Sequence, residues 1–297
     1  MDWNTNALAL CAAALSLVAS PAAAQDEPET LSPISSWTLD YGDDSCSLSR
    51  VFGTAEAPVV FEMRQYAPAT PFYTTVLSRR SMVAEPEVRL TFEGNAPAEG
   101  VETLWMLDPG EGMSGFRSKL SSAAPRGDVP FAAENSERDA HEAAITYLDV
   151  TGAYGEPLRL RTGGMGPPLA AMRDCSLGLI EEWSLDPAAH ASLSETVSWE
   201  QHNSGFQRVY RRMSDDMRQQ YARGNLPVRI VVDAEGQVSS CTALTPFADA
   251  EHTSTFCDAI TENMRYNPAR DAAGNPIASF VVTGVYPLQT VRRTTSR

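Results

Sequence analysis

Positive charge is scarce in this chain. Its 297 residues hold 23 Lys and Arg against 38 Asp and Glu, a net charge of -15, and Lys119 is the only lysine. So acidic a chain lacks the basic surface by which proteins hold nucleic acid or an anionic bilayer through bulk charge. Histidine is scarce as well. His141, His190, His202 and His252 are the only four, none at a metal-binding spacing such as HExxH, and each reads as a surface residue. The serine motif GxSxG is missing, and Gly112-Met113-Ser114-Gly115 only approximates it. Gly163-Gly164-Met165-Gly166 runs into Pro167-Pro168, which removes two amide donors that a phosphate loop needs. The acid pairs Glu181-Glu182 and Asp215-Asp216 are neighbours in sequence. On a helix such neighbours point about 100° apart and read as solvated faces. No catalytic residue, metal ligand or cofactor site is implied. The expectation is a binding protein rather than an enzyme.

What is present is an N-terminal apolar run and four later cysteines. Ala7 to Ala19 is unbroken small and apolar sequence, Pro21 follows, and Ala22-Ala23-Ala24 offers a small-x-small cleavage pattern. Residues 1–24 are therefore read as a signal peptide, cut after Ala24, with Cys11 inside the discarded part. The run is shorter than the roughly 20 apolar residues of a spanning helix, and no later stretch approaches that length. The segment 1–6 carries no Lys or Arg, which departs from the usual positive n-region. The alternative is an uncleaved anchor. With cleavage the protein is exported to the periplasm and makes no stable membrane insertion.

Export makes Cys46, Cys175, Cys241 and Cys257 candidates for two disulfides, with three pairings open. Charge suggests how to divide them. Residues 25–204 carry 28 acids and 12 bases, a balance of -16, whereas 205–297 carry 9 acids and 11 Arg, a balance of +2. Such asymmetry points to two domains, and the length accommodates two cores. One bridge per domain gives Cys46–Cys175 and Cys241–Cys257.

Residues 25–33 are acidic, Pro-containing and read as a disordered lead-in. From Ile34 short alternating segments recur: Trp37–Tyr41, Cys46–Phe52, Val59–Arg64, Thr74–Ser78, Glu87–Phe92 and Gly100–Leu107. Turn residues separate them, the pattern of a sandwich or curled sheet. Helix is expected over Ser136–Leu148 and over Leu169–Trp183. In the latter Leu169, Met172, Cys175, Leu179 and Trp183 share a face behind Pro167-Pro168. Cys175 on that buried face can reach Cys46 on a strand. Residues 34–195 are thus an acidic β-rich domain with a closing helix, and Asp186–Glu195 is its connector. A linker spans 196–204. A helix then runs from about Gly205 to Tyr221, placing Phe206, Val209, Tyr210, Met213, Met217 and Tyr221 on one face. Gly224-Asn225 ends it. Arg208, Arg211 and Arg212 lie on its solvent face and are candidates to meet an acidic partner, including the acidic domain of the same chain.

The C-terminal third reads as strand, hairpin, strand, helix, strand: Leu226–Asp233, a turn at Ala234-Glu235-Gly236, Gln237–Thr242, Asp249–Met264 and Ile277–Leu288. The Gly236-Gln237-Val238 step, Tyr266-Asn267-Pro268-Ala269 after the helix, and Gly274-Asn275-Pro276-Ile277 before the last strand occur in that order. In these motifs residues 205–288 resemble the C-terminal domain of TonB-type energy transducers. The resemblance implies an α+β protein in which the acidic domain precedes a TonB-like β-β-α-β module, with a tail at 289–297. It also favours the Cys241–Cys257 bridge, between the second strand and the helix across it. It implies binding of an extended envelope-protein segment, or of a cell-wall component, along the last strand. Ile277, Ser279, Val281, Thr283 and Val285 are the expected contact residues. A transducer has an anchored N-terminal helix and a long Pro-rich spacer; this chain has an acidic domain where the spacer would be. Two alternatives follow: an anchored transducer for outer-membrane transport, and a periplasmic enzyme with its site in the N-terminal domain.

Overall fold

The computed structural model describes residues 27–68, 70, 72–84, 87–93, 104–120, 136–199, 202–218, 226–244 and 250–285. The signal peptide, its cleavage point, the helix end at 219–225 and the tail lie outside the described residues.

The alternating segments of the acidic half form two sheets. Strands β2 (Thr38–Gly42), β3 (Ser45–Gly53), β4 (Pro58–Gln65), β5 (Phe72–Ser78), β7 (Leu104–Gly110) and β8 (Met113–Leu120) pair in the order β2-β3-β4-β5-β8-β7, every neighbour antiparallel. Along β4 the side chains of Val59, Phe61 and Met63 are buried while their neighbours are only partly covered, the two-residue period of a pleated strand. A second sheet has the order β1-β10-β9-β6, from Glu29–Leu31, Leu158–Leu160, Leu148–Thr151 and Arg89–Phe92. Both sheets contribute to one apolar core: Leu48, Phe52, Phe61 and Phe116 from the first, Leu90, Phe92, Leu148 and Leu160 from the second. Gly115 is needed in β8, because a Cβ there would stand 1.9 Å from the carbonyl oxygen of Val76.

Helix α1 is Ser136–Ala144 and α2 is Gly166–Glu182, with Pro167 and Pro168 in its first turn. Leu169, Met172, Cys175 and Leu179 of α2 enter the same core. Glu142 of α1 is buried, and Arg173 of α2 neutralises it with a 2.7 Å hydrogen bond from Nη1. Cys175 is bridged to Cys46 of β3, with Cα atoms 6.1 Å apart. That crosslink ties the closing helix to the first strands over a 129-residue separation. A four-residue helix α3 (Pro187–His190) follows, capped by the Asp186 carboxylate accepting from Ala188 N at 2.9 Å.

The last third has its own core. Strands β12 (Leu226–Val232), β13 (Val238–Ala243) and β17 (Ser279–Val285) form an antiparallel sheet in the order β13-β12-β17. Helices α4 (His202–Arg212) and α5 (Ala250–Asn263) cover one face; Val209, Val228, Ile230, Phe256, Ile260 and Tyr266 fill the space between. Cys241 of β13 is bridged to Cys257 of α5 at a Cα separation of 5.4 Å, within the usual range for a disulfide. The hairpin between β12 and β13 places Gly236 at φ +80°, and a Cβ there would meet the Tyr266 carbonyl oxygen at 2.2 Å. Tyr266 N donates to the Gly236 carbonyl at 3.0 Å, so the hairpin and the segment after α5 are fastened together. The chain is mixed α+β, with sheet predominating.

Several expectations are corrected. The lead-in is ordered from residue 27: β1 pairs in parallel with β10, and Leu31 enters the core. Three residues of strand between acids and prolines have no period to read. Strands β8, β9 and β10 also escaped sequence reading, because each is short or opens on a glycine-rich turn. The presumed linker is part of the second unit. Ser198–Trp199 (β11) pairs with Tyr266–Asn267 (β14), and Val197 and Trp199 pack on its core. The long helix after it is broken. Helix α4 ends at Arg212, and a separate turn covers 215–218, where Ser214 Oγ accepts from Met217 N at 3.2 Å as an N-cap. Tyr210 does not join the apolar face; it is exposed, with Arg218 over its ring.

Candidate binding edge of the second unit

Strand β17 lies at the margin of its sheet. It pairs with β12 from Ser279↔Val232 to Val285↔Leu226, and no strand among the described residues pairs on its other side. Along its seven residues, the backbone groups of every second residue therefore face outward at one edge. Unpaired amides and carbonyls of this kind are a template for another extended chain.

The five residues expected to form the contact surface do not act as one set. Ile277 is not in β17. It sits in β16 (Pro276–Ile277), whose partner is β15 (Ala269–Arg270), with Ile277 opposite Ala269. The turn at 271–275 joins the two short strands, and Ala278 separates β16 from β17. Ser279 opens β17 but is only 2% exposed. Val281 is half-buried against the second unit's own core. Thr283 and Val285 lie on the β17 backbone at 283 and 285, and their side chains are outside the described set. The alternation over 279–285 is that of a strand, as the structure has it. Among the described side chains of the five, Ser279 and Val281 turn into the protein.

The other face of the sheet is sealed by the acidic half. Val231 of β12 and Phe280 of β17 are buried with Ala67 and Ile180, and Leu177, Trp183, Leu185 and Val282 pack on them. The Trp183 and Phe280 rings meet edge to face at 4.9 Å. His190 stacks on Phe280 at 5.9 Å and is 1% exposed, which corrects its reading as a surface histidine. Its Nδ1 lies 2.7 Å from the Asp186 carbonyl oxygen, which can only accept, so Nδ1 carries the proton. Nε2 then accepts from Ser279 Oγ at 2.9 Å. A hydroxyl on an imidazole resembles an activated nucleophile. Here both groups are buried under Phe280, and the pair acts as a tie between the halves.

The charge contact between the halves is also not the expected one. Arg212 pairs with Glu262, Arg208 donates to the Asn263 carbonyl, and Arg211 donates to the Gln207 carbonyl, all within the second unit. Arg229, in the middle of β12, makes the crossing instead. It bonds Asp44 on the turn between β2 and β3 at 2.7 Å, and its guanidinium lies 4.3 Å over the Trp183 ring. Strand alternation put Arg229 on the face opposite Val228 and Ile230, which in isolation reads as a solvent face. Only docking of α2 makes that face interior.

Ser114 Oγ donates to the Arg80 carbonyl at 2.9 Å. Glu181, Glu182, Asp215 and Asp216 are exposed. Among the described residues no cluster of His, Cys, Asp or Glu is arranged to hold a metal, and no helix is long and apolar enough to cross a membrane. Two phenols are strongly perturbed. Burial pushes the Tyr154 hydroxyl up to about 12 against the opposing charge of Arg80, and burial pushes Tyr266 up as well. No family model matches the chain, and no curated protein or solved structure is significantly similar to it.

Proposed function

We propose that this is an exported envelope protein whose second unit binds an extended segment of another envelope protein by strand addition along β17. The observation that carries the reading is the outward edge of β17, seven residues long at the margin of the β13-β12-β17 sheet. The order of strand, hairpin, strand, helix and strand supports a TonB-like module, as does the Gly236–Tyr266 fastening. Two disulfides support an oxidising compartment, and together with the apolar N-terminal run they support export to the periplasm. Binding is through the main chain, with Phe280 and Val282 already committed to the acidic half. That half acts as a brace: it fixes the sheet from behind and leaves the edge for the partner.

A photo-reactive residue at position 285, placed in the exported protein, is expected to crosslink to an extended segment of an envelope protein. In the purified complex, hydrogen exchange is expected to slow at alternate amides of 279–285. A crosslinked partner that leaves those amides exchanging as in the free protein refutes strand addition.

A further inference from the structure

Arg229 carries more hydrogen-bond donors than its surroundings accept. Its side chain is only 8% exposed. Nη2 donates to Asp44 Oδ1 at 2.7 Å and to Thr242 Oγ1 at 3.0 Å. Nε and Nη1 are buried and meet no acceptor among the described residues. The indole Nε1 of Trp183, whose ring lies under the guanidinium, is buried and unpartnered too. Stacking satisfies the face of the guanidinium, but its N–H bonds lie in the plane and point elsewhere. Buried donors left over in this way are uncommon and mark a place where an acceptor belongs. Three donor nitrogens from two halves of the molecule, beside a permanent cation, specify an oxyanion.

Asp44 shows which kind. It lies on the two-residue turn between Gly42 and Ser45, and its side chain is 49% exposed. The turn can release its carboxylate without disturbing either strand. Arg229, by contrast, is held in the central strand of its sheet, between Thr242 on one side and Val282 on the other. A fixed guanidinium facing a removable internal carboxylate has the build of a receptor holding its own surrogate ligand.

We propose that Arg229, with Trp183 Nε1, forms a carboxylate-binding site at the junction of the two halves, and that Asp44, which engages only Nη2 and leaves Nε, Nη1 and the indole N–H unmet, covers it until an external carboxylate displaces it. The site is independent of the β17 edge. Its ligand is a small organic acid or the acidic side chain of a polypeptide, two sources of one chemistry. Exchange is a pure binding step: one carboxylate leaves the guanidinium as another arrives, and no bond is made or broken.

The test uses the full exported chain with both disulfides intact. Nuclear magnetic resonance follows the Arg229 Nε–H and Trp183 Nε1–H signals during titration with acetate, against chloride at matched ionic strength. Both signals are expected to shift saturably. Asp44→Asn removes the competitor and is expected to tighten binding about tenfold. Arg229→Met is expected to abolish it. Should that variant fail to fold, Trp183→Phe keeps the ring, removes one donor and is expected to weaken acetate several-fold. An N-acetylated tripeptide containing Glu, compared with its Gln counterpart, separates the sources. Tighter binding than acetate by the Glu peptide alone identifies a polypeptide, and binding no tighter than acetate identifies a small acid. The proposal is overturned if folded Asp44→Asn shows no saturable shift of either signal with either probe, or if Arg229→Met, once folded, binds acetate as tightly as the unaltered chain.

Discussion

Phe280→Ala tests whether the two halves are one cooperative structure. Phe280 is buried between them, with Trp183 edge-on at 4.9 Å and His190 stacked at 5.9 Å. Truncating a sealed Phe costs about 3–5 kcal/mol, from lost transfer energy and the cavity left behind. Several neighbours, Leu177, Trp183, Leu185 and Val282, are only partly buried, so the site can partly collapse or hydrate. The expected loss is therefore at the lower end, about 3 kcal/mol. Removing the ring also frees His190 and weakens its tie to Ser279. Because the contact of Val231 and Phe280 with Ala67 and Ile180 is the apolar link between two otherwise separate cores, the halves are expected to uncouple. Denaturant unfolding of the unaltered chain should give coincident transitions by tryptophan fluorescence and far-ultraviolet circular dichroism. Phe280→Ala should separate them, the half containing Trp183 remaining folded at a denaturant concentration that melts the other. Tyr41→Ala, at a side chain 70% exposed on β2, is the control and should shift stability by no more than about 0.5 kcal/mol. A loss below about 1 kcal/mol at Phe280, with transitions still coincident, would refute the reasoning.

The two disulfides should differ in reducibility and in worth. Cys46 and Cys175 are buried, whereas Cys241 and Cys257 are half-exposed, so mild reductant under native conditions should open Cys241–Cys257 first, as read by mass mapping of alkylated thiols. Loss of the bridge with the 16-residue separation should cost about 3 kcal/mol, and loss of the one with the 129-residue separation about 5 kcal/mol, in the chain-entropy model. Alkali should unfold the protein. The Tyr154 and Tyr266 hydroxyls have raised folded values, so the stability they carry is complete below the ordinary phenol pKa and is lost as pH rises through the folded ones. Denaturation midpoints should accordingly be flat from neutrality to about pH 10 and fall above it, and Tyr154→Phe should reduce that fall.

Elements with a clear period were legible. The 3.6-residue stripe from Leu169 to Leu179 gave α2, and its two prolines gave its start. Alternation from Cys46 to Ser49 and the apolar run at Val59–Phe61 gave β3 and β4. Gly236 and Gly274, both at positive φ, marked their turns. Elements two to four residues long were not legible: β1, β9, β10 and β11 are too short to show any period, and tertiary pairing alone makes them strands. The candidate site was half legible. That β17 is a strand follows from its alternation. That Ser279, Phe280, Val281 and Val282 are covered, and that the strand lies at the sheet margin, depends on what packs on each side.

Composition and pattern alone determined the acidity of the first part, the even set of later cysteines, and the strand-strand-helix-strand order at the end. These depend on local spacing and on counts, which folding does not change. Tertiary structure decided which cysteines meet and which strand is left at the margin. It also decided that Arg229, His190 and Phe280 lie inside a junction rather than in solvent. A residue's face is fixed by its own strand, but whether that face is wet is fixed by elements distant in sequence, as Asp44 is from Arg229 and Ala67 from Phe280. No local pattern encodes that distance.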